Sequence, residues 1–98
     1  MFKPLDPLLK SELRLAVMSL LIGLEQADFK YLKDSTKATS GNLSVQLQKL
    51  NDAGYIEIKK TFKGNYPHTR CTITKKGIDA FEKHVEALKS YINLPSQQ

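Results

Sequence analysis

The chain has 98 residues and a mass of 11.1 kDa, near the lower end of domain sizes, which leaves no room for a two-domain enzyme with a cleft between its halves. Apolar residues make up 41% of it, enough for one modest core and too many for a disordered chain. Fifteen Lys/Arg against ten Asp/Glu give a net charge of +5, which points away from acidic interaction tails and toward a polyanionic partner. We expect one domain over 1–98, with its core at about 8–92 and a tail at 93–98. No apolar run approaches the ~20 residues that a membrane span needs. The N-terminus has no apolar stretch ending in a small-residue cleavage site, so no signal peptide is expected. Cys71 stands alone, which excludes an internal disulfide and a multi-cysteine zinc site and suits a reducing, intracellular setting.

In chain order, Pro4 and Pro7 set where the first helix can begin. The apolar pattern from Leu8 to Leu24 is too long and too wide for a strand. It predicts a helix buried on more than one side, with a second face free for another subunit. Asp28 can cap a short second helix from Phe29, with Phe29 and Leu32 inward and a polar break at Ser35, Thr36 and Lys37. Thr39 is the expected N-cap of a third helix, in which Leu43, Leu47 and Leu50 form one narrow stripe. Gly54 closes that helix. Tyr55 to Phe62 alternates as a strand, 63–68 reads as a turn, and Thr69 to Thr74 reads as a second strand. Thr74 then caps a last helix in which Ile78, Phe81, Val85, Leu88 and Ile92 recur at 3-and-4 spacing, the seam of a helix that lies on another helix. The order helix, helix, helix, strand, strand, helix is that of a winged helix-turn-helix: mainly α, with a small β-hairpin wing.

Two segments carry chemistry. With Leu43 as the zero of a helical wheel, Leu47 and Leu50 fall within about 40° of it. The opposite side of the third helix holds Gly41, Val45, Gln48 and Asp52, flanked by Asn42, Ser44 and Lys49. Before Asp52 this face has no acid. Short amide and hydroxyl groups suit base edges, where Asn and Gln can pair with adenine N6 and N7. Thr39, Ser40 and Gly41 sit at the helix N-terminus, whose free N–H groups can hold phosphate. In the hairpin, Lys59, Lys60, Lys63, His68 and Arg70 surround the turn, with Asn65 and Tyr66 at its tip. Lysines on an exposed strand also discourage aggregation. Five basic or potentially basic groups exceed that need and fit a wing laid along phosphates or tipped into the minor groove.

The run Ala38-Thr39-Ser40-Gly41-Asn42-Leu43-Ser44-Val45-Gln46-Leu47-Gln48-Lys49-Leu50-Asn51-Asp52-Ala53-Gly54-Tyr55-Ile56 resembles the recognition helix and first wing strand of small MarR/ArsR-like winged-helix transcriptional regulators. Those proteins often show T-x-G-N-L-S-x-H-L-x-x-L-x-x-A-G-Y followed by Ile or Val. Cys71-Thr72-Ile73-Thr74-Lys75-Lys76-Gly77-Ile78-Asp79-Ala80-Phe81 resembles their strand-to-helix junction, and Ser11 to Leu21 their first helix. The resemblance covers roughly residues 8–90. It implies a cytoplasmic, nucleoid-associated protein of a prokaryote that binds double-stranded DNA as a homodimer through its terminal helices. Leu9, Leu13 and Val17 of the first helix and the seam of the last are the expected dimer contacts. Asn42, Ser44, Val45 and Gln48 would meet base edges, and Ser40, Lys49 and the N–H groups near Gly41 would hold phosphate.

The chain departs from the pattern at Thr36 and Lys37, where an apolar residue and a glycine are usual, and at Gln46, where a histidine is common. The second helix is therefore expected to end early or lie at an unusual angle. The paired cysteines of metal-sensing relatives are absent, and His68, His84 and Cys71 are too scattered for a tetrahedral site, so no metal or cofactor is expected. Cys71 reads as a buried, inert thiol, and Tyr55 and Phe62 as wing core. No catalytic triad, paired carboxylates or phosphate-binding glycine loop is present, so no enzyme activity is expected. Two other readings stay open: a protein-interaction module whose basic wing binds an acidic partner, and a regulator switched by a small effector.

Overall fold

Ser11 divides the first apolar stretch in two. The computed structural model describes residues 1–92; the expected tail lies outside the described residues. Pro7–Lys10 is a single 3-10 turn, capped by the Asp6 carboxylate, which accepts from the Leu8 N–H at 2.9 Å. Ser11 then adopts an extended backbone (φ −76°, ψ 129°), and its hydroxyl accepts from the Arg14 N–H at 3.3 Å to start helix α1, Glu12–Leu24. The continuous helix expected from Leu8 is therefore corrected. A serine that caps the following turn competes with helix continuation through it.

Glu25 ends α1 with φ 69°, and the chain turns directly into strand β1, Gln26–Asp28, which sequence reasoning missed. Three residues are too short to show alternation; the strand exists because β3 supplies a partner edge. Helix α2 is Phe29–Thr36, capped by Asp28, whose carboxylate accepts from the Tyr31 N–H at 2.7 Å. It does not end before Thr36. The Thr36 hydroxyl donates back to the Leu32 carbonyl at 2.7 Å, and Lys37 takes the left-handed conformation (φ 60°) in which glycine is usual. Helix α3 is Ser40–Asp52, with the Thr39 hydroxyl accepting from the Asn42 N–H at 3.2 Å. Leu43, Leu47 and Leu50 are buried, and Gly54 ends the turn at φ 80°.

Strands β2, Ile56–Lys63, and β3, Tyr66–Ile73, pair antiparallel in a sheet of order β1-β3-β2. Pairing runs unbroken from Ile56↔Ile73 to Lys63↔Tyr66, so the turn is only Gly64-Asn65, not the 63–68 expected. Gly64 has φ 67°, the positive first central position of a type II′ hairpin turn, which lets the ladder extend to the tip. Helix α4 is Lys75–Ile92. The Thr74 hydroxyl accepts from the Gly77 N–H at 3.0 Å and donates to the Gly54 carbonyl at 2.6 Å, so one side chain ties the end of the α3 turn to the start of α4. Gly77 lies so close to the Tyr55 carbonyl that an added Cβ would stand 2.2 Å from its oxygen. The glycine of the strand-to-helix junction is thus a packing requirement.

The core joins Leu9, Val17, Met18, Leu21, Leu32, the α3 stripe, Ile56, Cys71 and Ile73. Leu9 and Val17 are fully enclosed, and Leu13 packs against the same cluster. This corrects the expectation for Leu9 and Val17 as dimer contacts: they fill their own monomer's core and offer no face to a partner. Residues before Pro7 run as an extended arm along α4. The Asp6 N–H donates to His84 Nδ1 (3.1 Å), the Lys3 N–H donates to the Ser90 hydroxyl (3.0 Å), and Phe2 stacks on Tyr91 with ring centres 4.7 Å apart. Three extended residues and two helical turns both span about 10 Å, which makes the match possible. The arm covers the face of α4 that carries His84 and Ala87. The neighbouring seam is left with Ile78, Phe81 and Val85 half-buried, Leu88 37% exposed and Ile92 66% exposed.

Candidate nucleic-acid interface

Helix α3 buries its leucine stripe and turns the opposite face to solvent. Thr39, Ser40, Gly41, Asn42, Ser44, Val45, Gln48 and Lys49 are all exposed, and the first turn has no acid. Val45 is an apolar residue 53% exposed in the middle of this polar face. Two amides on the face are held by neighbours. Gln48 Nε2 donates to Asp52 Oδ1 at 2.8 Å, and Gln46 Nε2 donates to Asn42 Oδ1 at 3.0 Å. Gln46 in turn accepts from Arg14 Nη1, while Arg14 Nε donates to the Leu8 carbonyl at 2.6 Å. Arg14 reaches α3 from α1 across 32 residues, and no local pattern in the sequence marks it.

The wing stands beside α3. A crevice between them is lined by Ser40, Ser44, Leu47 and Gln48 on the helix side and by Ile58, Lys60 and Thr69 on the sheet side. The strand register sorts the basic residues. Lys60 and Phe62 share the face of Ile56 and Ile58, toward α3, whereas Lys59↔Arg70, Thr61↔His68 and Lys63↔Tyr66 lie on the other face. Asn65 is exposed in the turn. The structure thus brings Lys60 together with the α3 residues and sets Lys59, Lys63 and Arg70 apart from them, on the wing's outer face. Lys59 and Arg70 are directly opposite, an arrangement that costs energy between like charges unless an anion lies over them. Asp28 stands on the other side of Arg70 and offsets part of that repulsion. His68 is half-buried, with Nε2 4.0 Å from Asp28 Oδ2.

Phe62 is exposed at the tip, which corrects its expected place in the wing core. Tyr55 is half-buried at the root of the wing and donates its hydroxyl to Asp6 Oδ2 at 2.5 Å. Burial first, and then the Asp6 carboxylate, push its pKa up to about 12. Cys71 is fully enclosed, and burial, with a smaller push from Asp28, raises its thiol to about 11. A cavity of about 290 Å³ lies where the arm, the wing root and α4 meet, lined by Pro4, Leu5, Asp6, Tyr55, Ala80, Lys83 and His84. Among the described residues, no helix is long and apolar enough to cross a membrane.

Residues 13–92 match the family model of a winged helix DNA-binding domain. An uncharacterized protein of Methanocaldococcus jannaschii is 39% identical over 75 residues, which are 76% of this chain and 82% of that protein. The structure of a transcriptional regulator homologue from Pyrococcus horikoshii superposes with a TM-score of 0.82 at 26% identity, covering 88% of this chain and 85% of that one. NadR, solved in complex with 4-hydroxyphenylacetate, shares the fold at a TM-score of 0.71 and 19% identity, covering 89% of this chain and 64% of its own. The exposed face of α3, free of acids before Asp52, the wing beside it and these likenesses agree: the chain belongs to the winged helix DNA-binding domain family and has the fold of small MarR-like transcriptional regulators.

Proposed function

We propose that this protein binds specific double-stranded DNA sequences as a homodimer and so regulates transcription in the cytoplasm of a prokaryote. The exposed face of α3, free of acids before Asp52, carries the reading: Asn42, Ser44, Val45 and Gln48 aligned opposite a buried leucine stripe. In the major groove these four meet base edges, while Thr39, Ser40, Lys49 and the N–H groups at Gly41 hold phosphate. Lys60 reaches the backbone from the crevice; Lys59, Lys63, Asn65 and Arg70 hold phosphates along the wing. The exposed part of the α4 seam supports a second copy there, with Ile78, Phe81, Val85, Leu88 and Ile92 of α4 and Leu13 of α1 in the contact.

Fluorescence anisotropy against a mixed-sequence duplex, titrated with salt, tests this. About six neutralised phosphates give a slope of log K on log salt near −5. No binding at low salt would sink the reading and favour an acidic protein partner for the wing. A second reading, DNA binding switched by a small effector, has the cavity between arm, wing root and α4 in its favour. Lys83, His84 and the Tyr55 hydroxyl line it, and its ~290 Å³ fits a single small molecule. Thermal shift against a metabolite panel tests that reading, and a ligand that raises the melting temperature should also change the anisotropy.

A further inference from the structure

The tip of the hairpin carries two large aromatic side chains that the fold does not use. Phe62 is 76% exposed and Tyr66 77%. Both forgo the burial by which aromatic rings normally stabilise a protein. Edge protection calls for charge and proline, not for large apolar rings. The register pairs Phe62 with Pro67 on the face toward α3 and Lys63 with Tyr66 on the other, so each face of the tip presents one ring. Around them stand Lys59, Lys60, Lys63 and Arg70, all exposed. An occupant of this tip must offer flat apolar surface and dense negative charge together. Duplex DNA offers both: base steps for the rings and phosphates for the cationic collar.

The reach fits as well. Ile58 is the last residue of β2 packed against the core, and Lys63 ends the strand five residues later, about 17 Å away. That is half of the ~34 Å helical repeat, the step from a major groove holding α3 to the neighbouring minor groove. The minor groove is only about 6 Å wide, too narrow for a hairpin with a ring on each face unless the groove opens. We propose that the wing tip is a base-stacking wedge: Phe62, backed by Pro67 and joined by Tyr66, enters a base step from the minor groove and kinks the duplex. The proposal rests on the duplex-binding reading and adds to it a deformation that the α3 contacts do not require.

The chain has no tryptophan, so Phe62→Trp is a clean reporter at an exposed position. The probe is a duplex of about 30 alternating A·T base pairs, whose TA steps unstack readily and in which every register is equivalent. Some adenines are replaced by 2-aminopurine, which brightens when unstacked. The wild-type protein should raise 2-aminopurine emission on binding, and indole emission of the Phe62→Trp variant should be quenched. Phe62→Ala should still bind by anisotropy, about tenfold more weakly, without the 2-aminopurine rise. If Phe62→Ala binds as tightly as wild type with the same rise, the wedge is overturned and the duplex reading stands. If the wild type shows no anisotropy change at low salt, both are overturned. Loss of duplex binding together with a blue shift of Phe62→Trp on phosphatidylglycerol vesicles would assign the tip to an anionic lipid surface instead.

Discussion

Asn42 reaches the surface with part of its amide already engaged. The Arg14 guanidinium can only donate, so Gln46 must turn Oε1 toward it. That leaves Gln46 Nε2 to donate to Asn42 Oδ1 at 3.0 Å, and Asn42 Nδ2 faces outward as a donor. In the proposed major-groove complex it would address an acceptor: guanine O6 or N7, adenine N7 or thymine O4. Asn42→Ala should weaken binding to a selected site by about 1–3 kcal/mol and relax preference at one base position. Arg14→Met keeps the apolar stem but frees both amides to rotate. A loss of about 1 kcal/mol is expected, with altered preference at that same position. Lys63→Ala serves as the contrast: it should weaken all sequences alike and reduce the salt slope of the dimer by about two, one for each copy. Anisotropy against single-base variants of the site separates these outcomes. An unchanged preference in Arg14→Met would show that α1 does not orient the reading residue.

At the scale of elements, the α3 stripe and the caps at Asp28, Thr39 and Thr74 were legible, because each rests on spacing or on a side chain acting within three residues. The break at Ser11 was not, since serine either caps or tolerates a helix and the apolar pattern continues through it. Nor were β1, the arm along α4 and Arg14 against Gln46, all of which depend on partners at least 32 residues away. Of the candidate site, the residues of α3 and the wing could be named, but not which face of the sheet each cation would take. That needed the hairpin register, which turns on Gly64 opening a two-residue turn. Lys37 gives an element-scale test. A lysine where glycine is usual predicts a shortened or reoriented α2. Instead α2 runs through Thr36, and Lys37 adopts the left-handed conformation at φ 60°. A side chain there costs ~1 kcal/mol or more relative to glycine, offset in part by glycine's freedom in the unfolded chain. Lys37→Gly is therefore expected to stabilise the protein by about 0.5 kcal/mol, read as a higher denaturant midpoint at unchanged slope. A lower midpoint would mean that the lysine makes a compensating contact.

The whole molecule should be sensitive to alkali. Tyr55 and Cys71 both have raised pKa values, about 12 and about 11, so folding favours their protonated forms. The unfolded chain releases these protons first, from pH 9.0 at the thiol and 10.0 at the phenol. The stability they contribute is complete below those values and is lost as pH rises through the folded ones. Melting temperature should therefore fall from about pH 9 upward. Tyr55→Phe should flatten the part between about 10 and 12, and Cys71→Ala the part between about 9 and 11. If neither variant changes the profile, other groups govern the alkaline limb.

The proposed self-association belongs to the same scale and would tie the α4 seam to the DNA reading. The arm that covers one face of α4 leaves Leu88 and Ile92 open beside Val85 and Phe81. Ile22 of α1 lines a hollow with Phe81 and Val85, so apolar surface beside the seam comes from both α1 and α4. A two-fold axis through this surface would make the contact self-complementary, and the proposed dimer is expected to read half-sites about 34 Å apart. Leu88→Glu puts a carboxylate at an exposed point of the seam, where the monomer fold has little to lose but a symmetric contact would bury two like charges face to face. Sedimentation should show a dimer for wild type and a monomer for the variant, with little change in melting of the isolated fold. The monomer keeps one α3 and one wing, so its salt slope should drop to about half of the dimer's, and its affinity should fall by 10² or more as the second half-site loses its tether. A monomeric wild type, or a Leu88→Glu variant with the full slope, would place the partner surface elsewhere than on α4.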